Sequence, residues 1–238
     1  MKALFAVAVG SVFTNDNTDA GAYYNRGVTY YKKGDYDRAI VDFTQALRID
    51  PNYIKAYRER GNAYYKKGDY DRAIADYSGA LRLAPNDATA YYNRGNAYYD
   101  KWDYDRAIAD YSGALRFAPN DAAAYNNRGI AYRNKGDYDR AITDYNEALR
   151  LDPDYAAAYG NRGIAYDYKE DYDRAITDYN EALRLDPDYT RAYNNRGAAY
   201  YYKGEYARAR ADWEKALQLN PNHAEARDNL EFLQDMGY

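Results

Sequence analysis

Few side chains in this chain of 238 residues have the chemistry of a nucleophile or a metal ligand. Cysteine is absent and His223 is the single histidine, which excludes disulfides, thiolate chemistry and a metal site built on Cys or several His ligands. The serines are Ser11, Ser78 and Ser112, and none lies in a nucleophile-elbow setting. The glycines never form a loop that cradles phosphate. We therefore expect no enzymatic activity, no metal and no cofactor.

Carboxamide side chains, in contrast, recur with a fixed period. Asparagine occupies one position of a 34-residue period in five of six places, and Glu59 stands in the sixth; the five are Asn25, Asn93, Asn127, Asn161 and Asn195. A carboxamide both donates and accepts hydrogen bonds, so a row of them can bind the main chain of an extended peptide. The alternative is a solvated polar face left by duplication of the repeat.

Tyrosine accounts for 34 residues, most of them at repeated positions. In one period Tyr92, Asn96 and Tyr99 share the side of a helix that carries Asn93. With their counterparts they form aromatic surface that could anchor apolar peptide side chains or stack on sugars. The counterparts that we assign to this surface are Tyr24, Tyr31 and Tyr65.

Charge limits the classes of partner. The net charge of −4 argues against binding to nucleic acid, which requires clustered Lys and Arg. Cations such as Arg58 and Arg133 face the same side as the asparagines, and more of them lie in the N-terminal half. We expect that half to favour an acidic or C-terminal peptide segment.

These side chains must be positioned by a repeated pair of helices. A glycine and a proline each return every 34 residues, as in Gly95 with Pro119, so both ends of each unit are fixed. Tyr91, Gly95 and Tyr98 share a face of one predicted helix, and a second amphipathic helix follows. Lys-Gly-Asp between the helices supplies a left-handed glycine and an N-capping carboxylate. Each unit is therefore predicted to be a helical hairpin.

The pattern resembles the tetratricopeptide repeat. On the third unit the matching residues are Tyr91, Arg94-Gly95, Tyr98, Ala107, Tyr111, Ala114 and Pro119. The resemblance implies an all-α fold, a right-handed superhelical α-solenoid, whose first helices line a concave groove that binds a protein or peptide in extended conformation. We divide the chain as follows: residues 1–19, an N-terminal apolar segment and linker; six units at 20–53, 54–87, 88–121, 122–155, 156–189 and 190–223; and a capping helix at 224–238.

The departures from the family pattern are regular. Arginine replaces the leucine before the glycine in every unit, as at Arg94, and an aspartate recurs in the second helix, as at Asp110. An arginine beside the core is costly unless it is paired, so we predict bidentate Arg–Asp pairs. The alternative is a row of arginines that grips a ligand. Trp102 and Glu170 replace the loop glycine, so those two turns could differ in shape.

Family members that bind chaperone tails hold a terminal carboxylate with residues from three successive units. In this chain Arg58, Asn62 and Asn93 match the first three places of that clamp, but Ala123 and Asn127 occupy the last two. The resemblance to this clamp is therefore only half complete.

The first residues, Met1-Lys2 followed by an apolar run, are typical of a secretory signal or of a cap on the first helix. The run is too short to span a bilayer, and we expect no membrane partner. The protein would be cytoplasmic or, if residues 1–14 are a signal, exported to the periplasm. Three functions stay open: a peptide-binding scaffold, a self-assembling structural array that associates through its ends, and a carbohydrate-binding envelope protein.

Overall fold

The computed structural model describes residues 19–238, and that part of the chain is all-helical. The signal-like or capping role predicted for the first residues lies outside the described residues. None of the described helices has the length and apolarity required to cross a membrane. Within residues 19–238 there are thirteen helices: α1 Ala20–Lys32, α2 Tyr36–Ile49, α3 Ile54–Lys66, α4 Tyr70–Leu83, α5 Ala88–Asp100, α6 Tyr104–Phe117, α7 Ala122–Asn134, α8 Tyr138–Leu151, α9 Ala156–Tyr168, α10 Tyr172–Leu185, α11 Thr190–Tyr202, α12 Tyr206–Leu219 and α13 Ala224–Asp235.

The helices form two compact blocks. The N-terminal block contains α1 to α4 and ends at Pro85, and the C-terminal block contains α5 to α13 and begins at Asn86. In each block successive helices pair as antiparallel hairpins, α1 with α2 and so on, and α13 packs against α11 and α12. The predicted class, an all-α solenoid of helix-turn-helix repeats, is confirmed. The division into units and terminal segments stays a prediction.

The hairpin turns follow the predicted chemistry. Gly34 adopts a left-handed φ of 77°, and Asp35 then caps α2 by accepting a hydrogen bond from the Arg38 amide at 3.1 Å. Trp102 and Glu170 adopt the same left-handed conformation, with φ of 63° and 59°. The expected difference in turn shape is therefore absent at the level of the backbone, since both residues retain the left-handed geometry that glycine provides elsewhere.

Aromatic rings of the second helix, packed against glycine and alanine, fill the space between the two helices of a hairpin. A Cβ atom added to Gly129 would lie 2.7 Å from the Tyr145 ring, which is closer than the packing permits. Alanine at the neighbouring positions is fully buried, as at Ala131 and Ala141. The glycine thus allows the second-helix ring to pack directly on the first-helix backbone. The buried rings at this position are Phe43, Tyr77, Tyr111, Tyr145, Tyr179 and Trp213.

The Arg–Asp pairs predicted from the sequence are confirmed in all six hairpins. Each arginine Nε and Nη2 donate to the two carboxylate oxygens at 2.6–2.8 Å. This is the bidentate geometry that gives the strongest ion pairs. In order along the chain the pairs are Arg26–Asp42, Arg60–Asp76, Arg94–Asp110, Arg128–Asp144, Arg162–Asp178 and Arg196–Asp212.

The same arginines connect successive hairpins. The third donor of Arg162, Nη1, reaches back to Asn146 Oδ1 on the preceding second helix at 2.6 Å. Arg128 does the same with Ser112 at 3.0 Å. One guanidinium therefore joins three helices. Among the described residues Arg26, in the first described hairpin, donates only to Asp42, and its side chain is 59% exposed against 20% for Arg162.

This arrangement predicts that the first Arg–Asp pair and a pair inside the row contribute differently to the stability of the fold. Arg162→Met leaves the carboxylate of Asp178 buried without a partner, and we expect a loss of about 3 kcal/mol in the free energy of unfolding. Asp42 is as buried as Asp178, but it is covered by an arginine that is itself mostly exposed, so in Arg26→Met water can reach Asp42 and we expect a loss of less than about half that value. Urea denaturation followed by circular dichroism measures both. Equal losses would contradict the role of burial.

Candidate functional site

The first helices of successive hairpins lie side by side within each block and form the surface on which the predicted site residues fall. In the C-terminal block α7 contacts α9, α9 contacts α11, and α11 contacts α13, while in the N-terminal block α1 contacts α3. We call this surface of each block its first-helix face. Its residues repeat every 34 positions, so neighbouring helices present equivalent side chains to one another.

In the N-terminal block the asparagines differ in their environment. Asn25 is exposed. Asn62 is half-buried: its Oδ1 accepts from the Tyr77 hydroxyl at 2.8 Å, and its Nδ2 donates to Glu59 at 3.1 Å. Asn62 thus satisfies a buried phenol from the second helix, which is a structural role that the sequence did not indicate.

The predicted tyrosines of this block are half-buried, as is Arg58. Burial raises the pKa of Tyr24 and Tyr31 above the ordinary value. Each ring leaves only part of its surface for a ligand, because it packs against other aromatic rings with centroids 5.0–5.8 Å apart. The contacts are Tyr24 with Phe43 and Tyr53, Tyr31 with Tyr36, and Tyr65 with Tyr70.

In the C-terminal block the carboxamides form a hydrogen-bond network between α5 and α7. Asn127 Nδ2 donates to the Tyr92 hydroxyl at 2.9 Å and to Asn96 Oδ1 at 3.3 Å. Asn96 Oδ1 also accepts from the Tyr111 hydroxyl at 2.8 Å. The Tyr99 hydroxyl similarly accepts from Asn134 Nδ2 at 2.9 Å. These groups hold the two helices in register.

Asn161 is placed differently from the open row that the sequence suggested. It is 6% exposed, and its Nδ2 donates to Asn126 Oδ1 on the adjacent helix at 3.0 Å. Its amide nitrogen is therefore used within the fold. Asn93 and Asn195 are half-buried, and Asn195 Oδ1 accepts from Asn194 at 3.3 Å. A contact between these asparagines and a ligand stays a prediction.

Two guanidiniums converge on the remaining oxygen of Asn161. Arg133 Nη1 donates to Asn161 Oδ1 at 3.4 Å, and Arg191 Nη2 donates to the same atom at 3.2 Å. These bonds are long compared with those of the Arg–Asp pairs. Within residues 19–238 neither guanidinium forms an ion pair, so two positive charges share one neutral acceptor on this face.

A buried hydroxyl lies close to the same two cations. Tyr145 is fully buried and its hydroxyl has no hydrogen-bond partner among the described residues. Burial raises the pKa of Tyr145, and the Arg133 and Arg191 guanidiniums partly oppose the rise. The equivalent hydroxyl of Tyr111 bonds an asparagine fifteen residues earlier, whereas Ile130 stands at that distance before Tyr145. The Ile therefore leaves the phenol without an acceptor.

Asp167 is a half-buried residue on the face formed by α9, and its Oδ1 atom is shielded from solvent. Its Oδ2 accepts from the Tyr179 hydroxyl, and its Oδ1 has no partner among the described residues. Burial raises the pKa of Asp167 to about 7, against the lowering effect of the Tyr179 hydrogen bond. The carboxyl therefore gains or loses its proton near neutral pH.

The sequence placed Arg191 and Asp167 among the charges of this side, but it missed four features: the convergence of Arg191 with Arg133, the orphaned Tyr145 hydroxyl, the isoleucine at position 130 and the shielding of the Asp167 carboxyl. Aligning the units indicates the last two, because Ile130 stands where the second and third units have Asn62 and Asn96, and Asp167 stands where four of the units have tyrosine. The other two depend on side-chain conformations in neighbouring helices.

The orphaned hydroxyl predicts opposite effects for two matched substitutions. Tyr145→Phe removes a buried group without a partner, so we expect stabilisation of about 1 kcal/mol. Tyr111→Phe removes a satisfied hydrogen bond and leaves Asn96 short of a donor, so we expect destabilisation of about 1 kcal/mol. Thermal and urea unfolding of both variants measure the sign. Destabilisation by both would show that the Tyr145 hydroxyl has a partner in solution.

Asp167 predicts a pH dependence of stability. An acid whose pKa is higher in the folded than in the unfolded chain destabilises the fold when it ionises. The contribution of Asp167 to the free energy of unfolding is therefore most favourable below about pH 4 and falls as the pH rises from about 4 to 7. Above about pH 7 it stays constant. Asp167→Asn mimics the protonated acid and should stabilise the protein at pH 8 by about 2 kcal/mol.

The measurement is urea denaturation of wild type and Asp167→Asn at pH 5 and pH 8. Asp228→Asn, at an exposed carboxyl on α13, serves as the control and should show the same small difference at both pH values. A gap between Asp167→Asn and wild type that does not widen with pH would contradict the buried state of Asp167.

Comparison with known proteins supports the repeat assignment over most of the chain. A profile described as tetratricopeptide repeat matches residues 20–53, 122–155 and 190–223, and a second with that description matches 43–75 and 144–177. A profile described as TPR repeat matches 61–101, 95–136 and 168–204. Together the three profiles span residues 20–223. No curated protein sequence matches the chain.

Many solved structures resemble the chain. One is from the APC/C hetero-tetramer Cut9-Hcn1, with a TM-score of 0.73 and 23% identity over 92% of this chain, which spans only 43% of that one. MamA protein gives a TM-score of 0.67 and 28% identity over 71% of this chain and 92% of its own. YrrB, a TPR protein with an unusual peptide-binding site, gives a TM-score of 0.65 and 26% identity over 78% of this chain and 96% of its own. With the profiles and the hairpin geometry, these matches show that the chain belongs to the tetratricopeptide repeat family.

Proposed function

We propose that this protein is a non-enzymatic scaffold that binds an extended, acidic protein segment on the first-helix face of its C-terminal block. Repeat families of this type are protein-interaction scaffolds, which supports the general role. The observation that carries the finer proposal is the pair Arg133 and Arg191, whose guanidiniums converge on Asn161 Oδ1 without an ion pair in the described part of the chain.

A carboxylate is the ligand group that fits this pair. The arginines inside the hairpins bind aspartates through two bonds of 2.6–2.8 Å, for example Arg162 with Asp178. Among the described residues Arg133 and Arg191 instead donate only to neutral oxygens: both bond Asn161 Oδ1, and Arg133 Nη2 also donates to Asn134 Oδ1 at 3.3 Å. Their N–H groups can therefore donate to a carboxylate and form stronger bonds than they now make. A carboxylate beside Asn161 would gain charge-assisted hydrogen bonds from both sides.

Other residues of the face would hold the rest of the segment. Asn127 and Asn161 would have to give up existing bonds to bond a peptide main chain. The half-buried rings of Tyr92 and Tyr99 leave part of their surface for apolar side chains. The peptide-binding site named for YrrB supports peptide binding in general, because YrrB is similar to this chain.

The test uses three fluorescein-labelled peptides: hexaglutamate amide, hexaglutamine amide and hexaglutamine with a free C-terminal carboxylate. Fluorescence anisotropy gives their affinity for the full chain. We expect binding by the peptides that carry carboxylates, and the comparison of the two identifies a side-chain or a terminal carboxylate as the ligand. The variant Arg133→Gln/Arg191→Gln should weaken that binding by at least about tenfold.

The matched control is Arg82→Gln/Arg116→Gln, which removes two exposed arginines of the second helices and so lowers the net charge equally. We expect less than about a twofold change. An equal loss of affinity in both double variants would show that long-range charge alone accounts for the effect. Equal binding of hexaglutamine amide would show that carboxylates are not recognised.

A further inference from the structure

Two hairpin turns of the C-terminal block carry strain that the fold does not require. Trp102 and Glu170 hold φ of 63° and 59°, a region that disfavours residues with a Cβ by about 1–2 kcal/mol. Gly136 and Gly204 form the corresponding turns elsewhere in the block with φ of 81° and 77°. A glycine would therefore build the same turn at lower cost, and retained strain of this kind indicates a use for the side chain.

Trp102 is also the most exposed large apolar side chain in the described part of the protein. Its relative exposure is 79%, whereas Trp213, the other tryptophan, is 2% exposed. An indole in this position gains almost nothing from burial and cannot be explained by the core. The Tyr104 ring stands edge-on to it, with centroids 6.3 Å apart and planes at 61°. The face of the indole is left open to solvent.

A cavity of about 340 Å³ lies beside this indole. It is lined by Lys101, Trp102, Asp103, Tyr104, Asp105 and Lys135. A related cavity of about 270 Å³ lies at the Glu170 turn, lined by Lys169, Glu170, Asp171, Tyr172, Asp173 and Lys203. The two cavities therefore coincide with the two strained turns, and only the first has an aromatic side chain at the strained position.

The charges around the first cavity point to a neutral ligand with many hydroxyl groups. The lining contains two lysines and two aspartates, so its formal charges cancel. Asp105 is paired with Lys135, and Asp103 accepts from the Arg106 amide at 3.2 Å and from Arg106 Nε at 2.5 Å. A charged ligand would have to disrupt these pairs, whereas a hydroxyl can donate to a carboxylate and accept from an ammonium without breaking them.

We propose that the turn at Trp102 is a carbohydrate-binding site, in which a pyranose ring stacks on the open face of the indole and its hydroxyls bond to Asp105 and Lys135. The C–H groups on one face of a pyranose cover the indole, and the ring's edge carries both donors and acceptors. The cavity has the volume of a small ligand site. This site is separate from the first-helix face and does not depend on the peptide-binding proposal.

Tryptophan fluorescence tests the proposal directly, because the chain has two tryptophans and Trp213 is buried. The probes are maltohexaose, cellohexaose and chitohexaose, each titrated to about 10 mM against the full chain. We expect at least one to shift or quench the emission with saturation, at a dissociation constant of about 1 mM or lower. Failure of all three, or a change with no saturation, would overturn the proposal.

Two variants separate binding from folding. Trp102→Gly relieves the left-handed strain, so it should raise the melting temperature by about 2–4 °C while weakening saccharide binding, measured by calorimetry, at least about tenfold. Glu170→Gly relieves the same strain at the second turn and should leave the affinity unchanged. Retained affinity in Trp102→Gly, or equal loss in both variants, would overturn the assignment of the site to Trp102.

Discussion

Burial of a carboxylate beside an alanine-rich core is the constraint on which the rest of this structure depends. Each second helix carries an aspartate that is 3–6% exposed, and a buried charge of this kind is tolerable only with a well-oriented counter-ion. The arginine before each glycine supplies it through two parallel hydrogen bonds. Because its third donor reaches the preceding hairpin in several units, the ion pair also fixes the spacing between repeats.

This constraint leaves the first-helix face more freedom to vary. Alanines, aromatic rings and the Arg row hold neighbouring hairpins together, so only some first-helix positions, such as Asn127 and Asn134 with Tyr92 and Tyr99, add bonds between helices. In α7, α9 and α11 several of these first-helix positions carry charged residues. Arg133, Arg191 and Asp167 occupy places where other units have mostly tyrosine or small residues, and the result is a polar patch whose hydrogen bonds are incomplete.

Groups that the fold leaves unsatisfied mark the two proposed binding sites. On the first-helix face these are guanidiniums without carboxylates and a phenol without an acceptor, which together favour an anionic ligand group. The Trp102 turn is marked by backbone strain and by an exposed indole, and the charges beside it are already paired. The chemical difference between the two places, one electropositive and one neutral, assigns them to different classes of ligand.

The sequence alone determined the helical hairpins, their turns and the Arg–Asp pairs, because each follows from spacing within one 34-residue unit. Glycine and aspartate at the turns, and the paired recurrence of Arg162 with Asp178, leave few local alternatives. The environment of the first-helix face was decided only by the tertiary structure. Whether Asn161 is open or bonded depends on side chains about one repeat away, Asn126, Arg133 and Arg191, which meet it only once neighbouring hairpins have packed.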